Sequence, residues 1–465
     1  MFERVKAPGD CITSPHSILG AGGVSKTWNR LRSICRPFFN QGAFEVAHDK
    51  VVDHVIKSVE YILNQNPEGS VDLFQLVNRL VVESHLLTVL GVDSVTPGGK
   101  EIPVRDFIDT DKVSSQCMAD IIDTSLNVKM AEPKFSSVEF APMMTWLTNR
   151  LALPPEELGG IERILAEAQR KGELSSMERL HNIVMFMIAL APSPASFWTI
   201  LHVYKDQDLL GTIREECAEG VFKTLSMAIK ETLRMYAPVP IMVTRYYRAS
   251  TKSTNFDAFN LKGNNKVKLQ DGDRVLIPTI IMHNSPHLWI NPNKYDPSRF
   301  DAPDNLQAVG KSAQALLLRG SGNQSRPRLF NQTKSVRNPK EKARYSPFGQ
   351  GKHTCLGQPY ASWLTFTVTA TIMNNFDMDI EDVEGLLEKD CSFERIKDHV
   401  YTFPKAPFKA KIKNLTQDQE KDEGPVNDLV NELFRKSMAA NMHNFSEFLQ
   451  ETEFDDDNED NDDSI

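Results

Sequence analysis

One cysteine lies in the setting that a reactive or metal-binding thiol needs. Cys355 lies in a glycine-rich stretch, Phe348-Gly-Gln-Gly-Lys-His-Thr-Cys-Leu-Gly357, that leads into an apolar segment with helical character. Gly351 permits a tight turn with positive φ, Gly357 permits close approach of another part of the protein, and Phe348 covers one side of the loop. Because free N–H groups and the helix dipole favour the thiolate near a helix N-terminus, this sulfur is a candidate metal ligand, including to haem iron.

The pattern Phe-x-x-Gly-x-His-x-Cys-x-Gly resembles the haem-binding signature of the cytochrome P450 family of haem-thiolate monooxygenases. The family usually has Arg where this chain has His353, and His can likewise donate a hydrogen bond to a haem propionate. The resemblance implies haem b as cofactor, with Cys355 as the metal-binding axial thiolate and with Phe348, Gly351, His353 and Gly357 around it. The alternative for a lone cysteine is a small buried apolar side chain.

Two later segments carry charged residues in the order that the family shows. Glu231 and Arg234 lie three residues apart on a predicted amphipathic helix, and Arg299 follows in the loop Asp296-Pro-Ser-Arg-Phe300. A solvated surface pair of this spacing would contribute only about 0.2–0.5 kcal/mol. The resemblance implies instead that Glu231, Arg234 and Arg299 form a buried network behind the cysteine loop, in which each charge needs its partners.

Trp28 and Arg32 are four residues apart, and this spacing places them on the same face of a helix. They resemble the family's Trp-x-x-x-Arg helix, whose two side chains reach a haem propionate. The alternative is a surface helix with a local aromatic contact. Arg245 ends a segment, residues 238–245, that resembles the family's turn and pocket-lining strand, which implies that Arg245 also meets a propionate.

Residues 175–203 are expected to form the long central helix that crosses the distal face of the haem. The family typically has an acid and then a threonine here, which deliver protons, whereas this chain has Ser193 and Pro194. Pro192 and Pro194 must interrupt the backbone hydrogen bonds. Proton delivery would then come from water, Ser193, Ser196 or the substrate. The run Pro-Ala-Ser-Phe-Trp resembles the branch with sterol 7α-hydroxylases and prostacyclin synthase, although we favour ordinary core packing as the explanation of its two aromatic residues.

Composition excludes several classes of function. The 465 residues, 40% apolar, can bury a large core, and the six cysteines lack the paired spacing of a disulfide framework or Cys-x-x-Cys metal site. The net charge of −9 arises from nine acids in residues 451–465, so the remainder is balanced and gives no electrostatic reason to expect nucleic-acid binding. The longest apolar run, residues 183–191, is shorter than a membrane span, and the start lacks a signal-peptide pattern.

No P-loop, dinucleotide glycine fingerprint or zinc spacing occurs in the chain, so NADPH and flavin are expected to bind a partner, an NADPH-dependent cytochrome reductase. Residues 319–344 carry eight bases and one acid. They are either a disordered, solvated insertion or a docking segment for an acidic flavoprotein.

Helical periodicity in most segments, with short strand patterns at 266–269, 273–278, 376–380, 401–403 and 408–412, predicts a mainly α fold with small β-sheets. We expect an irregular start over 1–23, a haem-thiolate domain over 24–414, and a C-terminal extension over 415–465 with an amphipathic helix and a disordered acidic tail. Because the Trp28 helix comes so early, the resemblance implies a fold that lacks its N-terminal anchor, first sheet and first helices. In the family that anchor attaches the enzyme to the endoplasmic reticulum membrane.

The resemblance implies insertion of one oxygen atom from O₂ into an apolar substrate such as a sterol, lipid or terpenoid-like compound. A haem-thiolate isomerase or dehydratase that acts on a peroxide is the enzymatic alternative, and an inactive haem-binding remnant is the non-enzymatic one.

Overall fold

The structure is a computed structural model. It describes residues 2–4, 16–18, 21, 25–39, 44, 46–65, 70–91, 94–95, 102–103, 149–187, 189, 191–240, 242–247, 270, 273–301, 345–390, 404 and 407–415. The strands predicted at 266–269 and 401–403, the basic segment 319–344 and the extension beyond residue 415 lie outside these residues.

Helices dominate the described part of the chain. They are α1 (Lys26–Phe39), α2 (His48–Gln65), α3 (Leu73–Val89), α4 (Gly160–Arg170), α5 (Ser176–Met187), α6 (Pro192–Lys205), α7 (Gln207–Ala218), α8 (Lys223–Met235), α9 (Thr279–His283), α10 (Gln358–Asn375) and α11 (Val383–Asp390). The strands are β1 (Phe2–Arg4), β2 (Ser70–Asp72), β3 (Ser94–Val95), β4 (Ile102–Pro103), β5 (Met242–Tyr247), β6 (Arg274–Ile277), β7 (Phe376–Ile380) and β8 (Lys409–Asn414).

The strands form three small antiparallel sheets, in the orders β1-β5-β6, β2-β8-β7 and β3-β4. This arrangement confirms the predicted mainly α fold with small sheets. The prediction of an irregular start is wrong at residues 2–4, where Phe2 pairs with Tyr247 and Arg4 with Arg245. A three-residue strand is too short to show an alternating pattern, and its pairing is provided by the edge of β5.

The central helix is interrupted where the prolines predicted it. α5 ends at Met187 and α6 begins at Pro192, a position where the missing proline N–H leaves no hydrogen bond unmade. Phe197 and Trp198 are fully buried between α6 and its neighbours, in agreement with core packing. Among the described residues, one stretch, Ser176–Lys205, is long and apolar enough to cross a membrane, and most of it is buried inside the protein.

The helix after the cysteine loop continues directly into a strand. α10 ends at Asn375 and β7 begins at Phe376, as predicted. α10 is buried on nearly all sides, and two of its threonines satisfy their hydroxyls within the helix: Thr369 donates to the carbonyl of Thr365 at 2.8 Å and Thr371 to that of Thr367 at 2.7 Å. A polar helix sequence is thereby accommodated in the core, directly after the cysteine loop.

Candidate haem-thiolate site

The cysteine loop is a closed turn that leads into α10. The backbone N–H of Cys355 donates to the carbonyl of Phe348 at 2.9 Å, and the N–H of Gln358 donates to the carbonyl of Cys355 at 3.3 Å. Gly351 has φ of 72°, which confirms the predicted need for glycine there, and a Cβ at this position would meet no atom within 4 Å. The sulfur-bearing residue therefore lies just before the N-terminus of α10, where the helix dipole stabilises a thiolate.

The thiol of Cys355 differs from the other cysteines that the structure describes. Cys35 and Cys217 are buried, and burial raises the thiol pKa of each to about 12, so both stay protonated. Cys355 is exposed. A Cβ on Gly357 would lie 3.9 Å from the Cys355 Sγ and 3.6 Å from the ring of Phe39, so the glycine leaves room beside the sulfur. An open thiol with space beside it fits the axial ligand of a haem.

Residues of α1 meet this loop although they are far from it in the sequence. Arg32 Nη1 donates to the carbonyl of Thr354 at 3.0 Å, and the guanidinium carbon lies 5.2 Å from the ring centroid of Trp28. The ring of His353 is 4.7 Å from that of Trp28, which is buried. The structure thus brings together three of the residues predicted to bind propionates. The fourth, Arg245, has its backbone in β5, and its side chain lies outside the described residues.

The predicted network of charges is assembled and buried. The exposed fractions of Glu231, Arg234 and Arg299 are 0%, 0% and 2%, so these residues are not a surface pair. Arg234 donates to both carboxylate oxygens of Glu231, from Nε to Oε2 at 2.8 Å and from Nη2 to Oε1 at 2.9 Å. Oε1 also accepts from Arg299 Nε at 3.1 Å and from the backbone N–H of Asp296 at 3.0 Å.

The remaining donors of both arginines bind backbone carbonyls of the segment that follows α9. Arg234 donates to the carbonyls of His283 at 2.7 Å and Pro292 at 2.8 Å, and Arg299 donates to that of Asn291 at 2.9 Å. The single carboxylate therefore orders the two guanidinium groups, which in turn order the irregular chain between α9 and Phe300.

His283 joins this network to the start of the cysteine loop, and the sequence did not predict it. Its Nε2 accepts from the backbone N–H of Ser346 at 3.0 Å, and its ring stacks on Tyr345 with centroids 5.4 Å apart. Burial and then the charge of Arg234 lower the pKa of His283 to about 3, so the ring stays neutral and can accept this bond. An isolated histidine has no spacing pattern that would have identified this role.

The two predicted catalytic serines are both fully buried but differ in their partners. The Ser193 hydroxyl donates a hydrogen bond of 2.6 Å to Oδ1 of Asn78, which lies on α3. The hydroxyl proton is therefore already used in a hydrogen bond. The Ser196 hydroxyl makes no hydrogen bond within the described part of the chain.

Comparisons with known proteins identify the family of this chain. A family model described as Cytochrome P450 matches residues 160–397, just over half of the chain. Psoralen synthase of Pastinaca sativa is 24% identical over 49% of this chain and 43% of its own length. Lanosterol 14-alpha demethylase of Cunninghamella elegans is 23% identical over 43% of this chain and 39% of its own length. Cytochrome P450 3A16 of Mus musculus is 21% identical over 75% of this chain and 67% of its own length. The chain thus spans less than half the length of the first two relatives.

Proposed function

Because the chain belongs to the cytochrome P450 family, we propose that it is a haem-thiolate monooxygenase with Cys355 as its axial ligand. The observation that carries this proposal is the exposed thiol of Cys355, placed before α10 by a loop that contains a left-handed glycine. The family uses haem b with an axial cysteine thiolate, and that group supplies the activation of oxygen when it is bound.

The residues of this chain would hold and orient the cofactor. Trp28, Arg32 and His353 lie together beside the loop and offer N–H donors to the propionate carboxylates, as Arg245 would from β5. Glu231, Arg234 and Arg299 act at a distance, because they fix the segment that His283 ties to Ser346 and hence to the cysteine loop. These are roles in binding and positioning, while the oxygen chemistry belongs to the cofactor.

Ser196 is the better of the two candidates for proton delivery. A proton donor must be free to release its proton towards the reacting group, and the Ser193 proton is already held by Asn78. We propose that Ser196 serves this role alone or through water, in place of the usual acid and threonine.

The substrate is proposed to be an apolar small molecule of sterol, lipid or terpenoid-like type. The relatives include proteins named for psoralen and lanosterol, which are both small and largely apolar. We further propose that electrons come from an NADPH-dependent cytochrome reductase and that the protein works at the endoplasmic reticulum membrane. The assignment to the sterol 7α-hydroxylase and prostacyclin synthase branch stays a prediction.

The proline interruption of the central helix favours a second candidate, an isomerase or dehydratase that rearranges a peroxide. Such a reaction needs no proton delivery to oxygen from an acid and threonine pair, and α6 begins with prolines where that pair would lie. Turnover of a lipid hydroperoxide without NADPH would distinguish this activity from monooxygenation.

The carbon monoxide spectrum of the reduced protein tests the proposed ligand. We expect the strongly red-shifted Soret band of thiolate-ligated haem in the natural protein and its loss in Cys355→Ala. Cys217→Ala is the control, because this buried cysteine lies in the core at the end of α7, and it should retain the band. A red-shifted band that persists in Cys355→Ala would show that the sulfur ligand is another residue.

A further inference from the structure

A buried histidine joins three helices that are distant in the sequence. His85 on α3 has its Nε2 2.6 Å from the carbonyl oxygen of Phe186, near the end of α5, and its Nδ1 3.1 Å from the hydroxyl of Tyr360 on α10. All three residues are buried, with exposed fractions of 2%, 6% and 3%. None of them belongs to the cysteine loop or to the charge network described above.

The direction of each hydrogen bond follows from the chemistry of the partners. A carbonyl oxygen only accepts, so Nε2 of His85 must carry the hydrogen that it donates to Phe186. Nδ1 is then the bare nitrogen, and it accepts from the hydroxyl of Tyr360. Burial lowers the pKa of His85 to about 4, against the opposing effect of the Phe186 carbonyl, so the ring is neutral and this single tautomer is stable.

The carbonyl of Phe186 lies where the central helix stops. α5 ends at Met187, and the N–H of Ala189, three residues after Phe186, donates to this carbonyl at 3.2 Å. His85 supplies a further donor to this carbonyl from outside the helix. The side chain therefore caps the end of α5 at the interruption created by the prolines.

Both partners of His85 lie close to the cysteine loop. Tyr360 is on the first turn of α10, shortly after Cys355. The ring of Phe186 lies 5.5 Å from that of Phe39, which is the aromatic ring beside Gly357. The end of α5 and the start of α10 are thus joined through the two nitrogens of one imidazole.

We propose that His85 is a positioning residue that fixes the end of α5 relative to the helix that follows Cys355. The site that it would position is the haem pocket, so the inference about the pocket rests on the proposed function. The capping of α5 does not depend on it. His85 would set how closely the interrupted helix approaches a ligand on the open face of the iron.

Three substitutions test this role. His85→Phe retains a planar ring but removes both hydrogen bonds, and His85→Gln keeps an amide donor for Phe186 and an oxygen that can accept from Tyr360. Tyr360→Phe removes only the hydroxyl that donates to Nδ1 and leaves the bond from Nε2 to Phe186 in place. The control is His202→Phe, because His202 is also a buried histidine beside a tyrosine, 2.8 Å from the Tyr236 hydroxyl, but lies on α6 away from the end of α5.

The first measurement is the rate of amide hydrogen exchange in the last turn of α5. This rate reports on the cap at Phe186 whether or not haem is bound. We expect exchange there to be at least tenfold faster in His85→Phe and close to natural in His85→Gln and in His202→Phe. Natural exchange rates in His85→Phe would overturn the proposal. Tyr360→Phe keeps the bond from His85 to Phe186, so exchange there should stay close to natural. If His85→Phe does not fold, His85→Asn carries the test, because its shorter amide cannot take the position of Nε2, and a natural rate at the end of α5 in that variant would overturn the proposal.

The second measurement is the dissociation constant of imidazole, which binds haem iron on the open face and shifts the Soret band. We expect the dissociation constant to change at least threefold in His85→Phe and to stay close to its natural value in His85→Gln. A merely structural histidine would lower the melting temperature without changing this constant, which would overturn the positioning role. Absence of a thiolate-type carbon monoxide spectrum in the natural protein would instead contradict the proposed function and leave the exchange result as the test of the cap.

Discussion

Glu231→Gln should severely destabilise the protein although it changes a single atom in the side chain. Oε1 of Glu231 accepts from Arg234, Arg299 and the backbone of Asp296, whereas the one donor to Oε2 among the described residues is Nε of Arg234. The glutamine oxygen would therefore take the position of Oε1. Its amide NH₂ would then take the position of Oε2 and face Nε–H of Arg234. Two donors cannot form a hydrogen bond, so the 2.8 Å bond between Arg234 Nε and Oε2 is lost.

The cost can be worked from the burial of the three residues. The substitution removes a carboxylate that is ion-paired with two buried guanidinium groups, and loss of a partner from a buried ion pair costs about 3–5 kcal/mol. Since about 1.4 kcal/mol changes an equilibrium constant tenfold, the unfolding equilibrium should shift about a hundredfold to a few thousandfold. Domains of ordinary stability have only about 5–15 kcal/mol in total, so much of the protein should lack haem or aggregate.

The measurement is the denaturation midpoint together with the haem content of the purified protein. Glu167→Gln is the matched control, because Glu167 also pairs with an arginine on its own helix, Arg163 at 3.2 Å, but the two side chains are 36% and 57% exposed. This control should change the free energy of unfolding by less than about 1 kcal/mol. Equal midpoints and equal haem content in the two variants would show that the buried network contributes no more than a surface pair.

Two further predictions concern acid stability and the glycines of the cysteine loop. His85 and His283 have pKa values lowered from 6.5 to about 4 and about 3, so below pH 6.5 the unfolded chain takes up protons that the folded protein excludes. Urea titrations should therefore show stability falling as the pH drops from about 6.5 towards 4, by roughly 2–4 kcal/mol for His85, and an unchanged midpoint at pH 5 would contradict this. In the loop, Gly351→Ala should lower the melting temperature more than Gly357→Ala, because φ of 72° costs an alanine about 1–2 kcal/mol although its Cβ meets no atom, whereas Gly357 has φ of −84°. Equal melting temperatures would show that the loop relaxes freely at Gly351.

The sequence predicted best those features that depend on local pattern. The junction between α10 and β7 at residues 375 and 376 follows from the alternation of apolar and acidic residues that begins at Phe376, and the break before Pro192 follows from the missing N–H groups of proline. The turn at Gly351 is of the same kind, because only the local backbone decides it. In each case the physical cause lies within a few residues of its effect.

Features that depend on distant parts of the chain were not predictable from pattern alone. The spacing of Glu231 and Arg234 is the same for a surface pair and for a buried network, and only the tertiary structure shows that both are buried. Likewise, the resemblance implied that Trp28 and His353 each meet a propionate, but only the structure shows that their rings are in contact. His85 gave no signal at all, since a single histidine on an apolar helix differs little from any other core residue.

The meeting of Trp28 and His353 has a consequence for how the protein is made. Ribosomes add about 5–20 residues per second, so the 325 residues that separate these two rings take about 16–65 s to synthesise. During this time the apolar face of α1, which includes Trp28, Leu31 and Phe38, lacks its contacts with the cysteine loop. α1 can pack earlier on α4, but the cofactor site itself cannot close until nearly four-fifths of the chain has left the ribosome. Haem insertion is therefore expected to be a late step, which follows translation of α10.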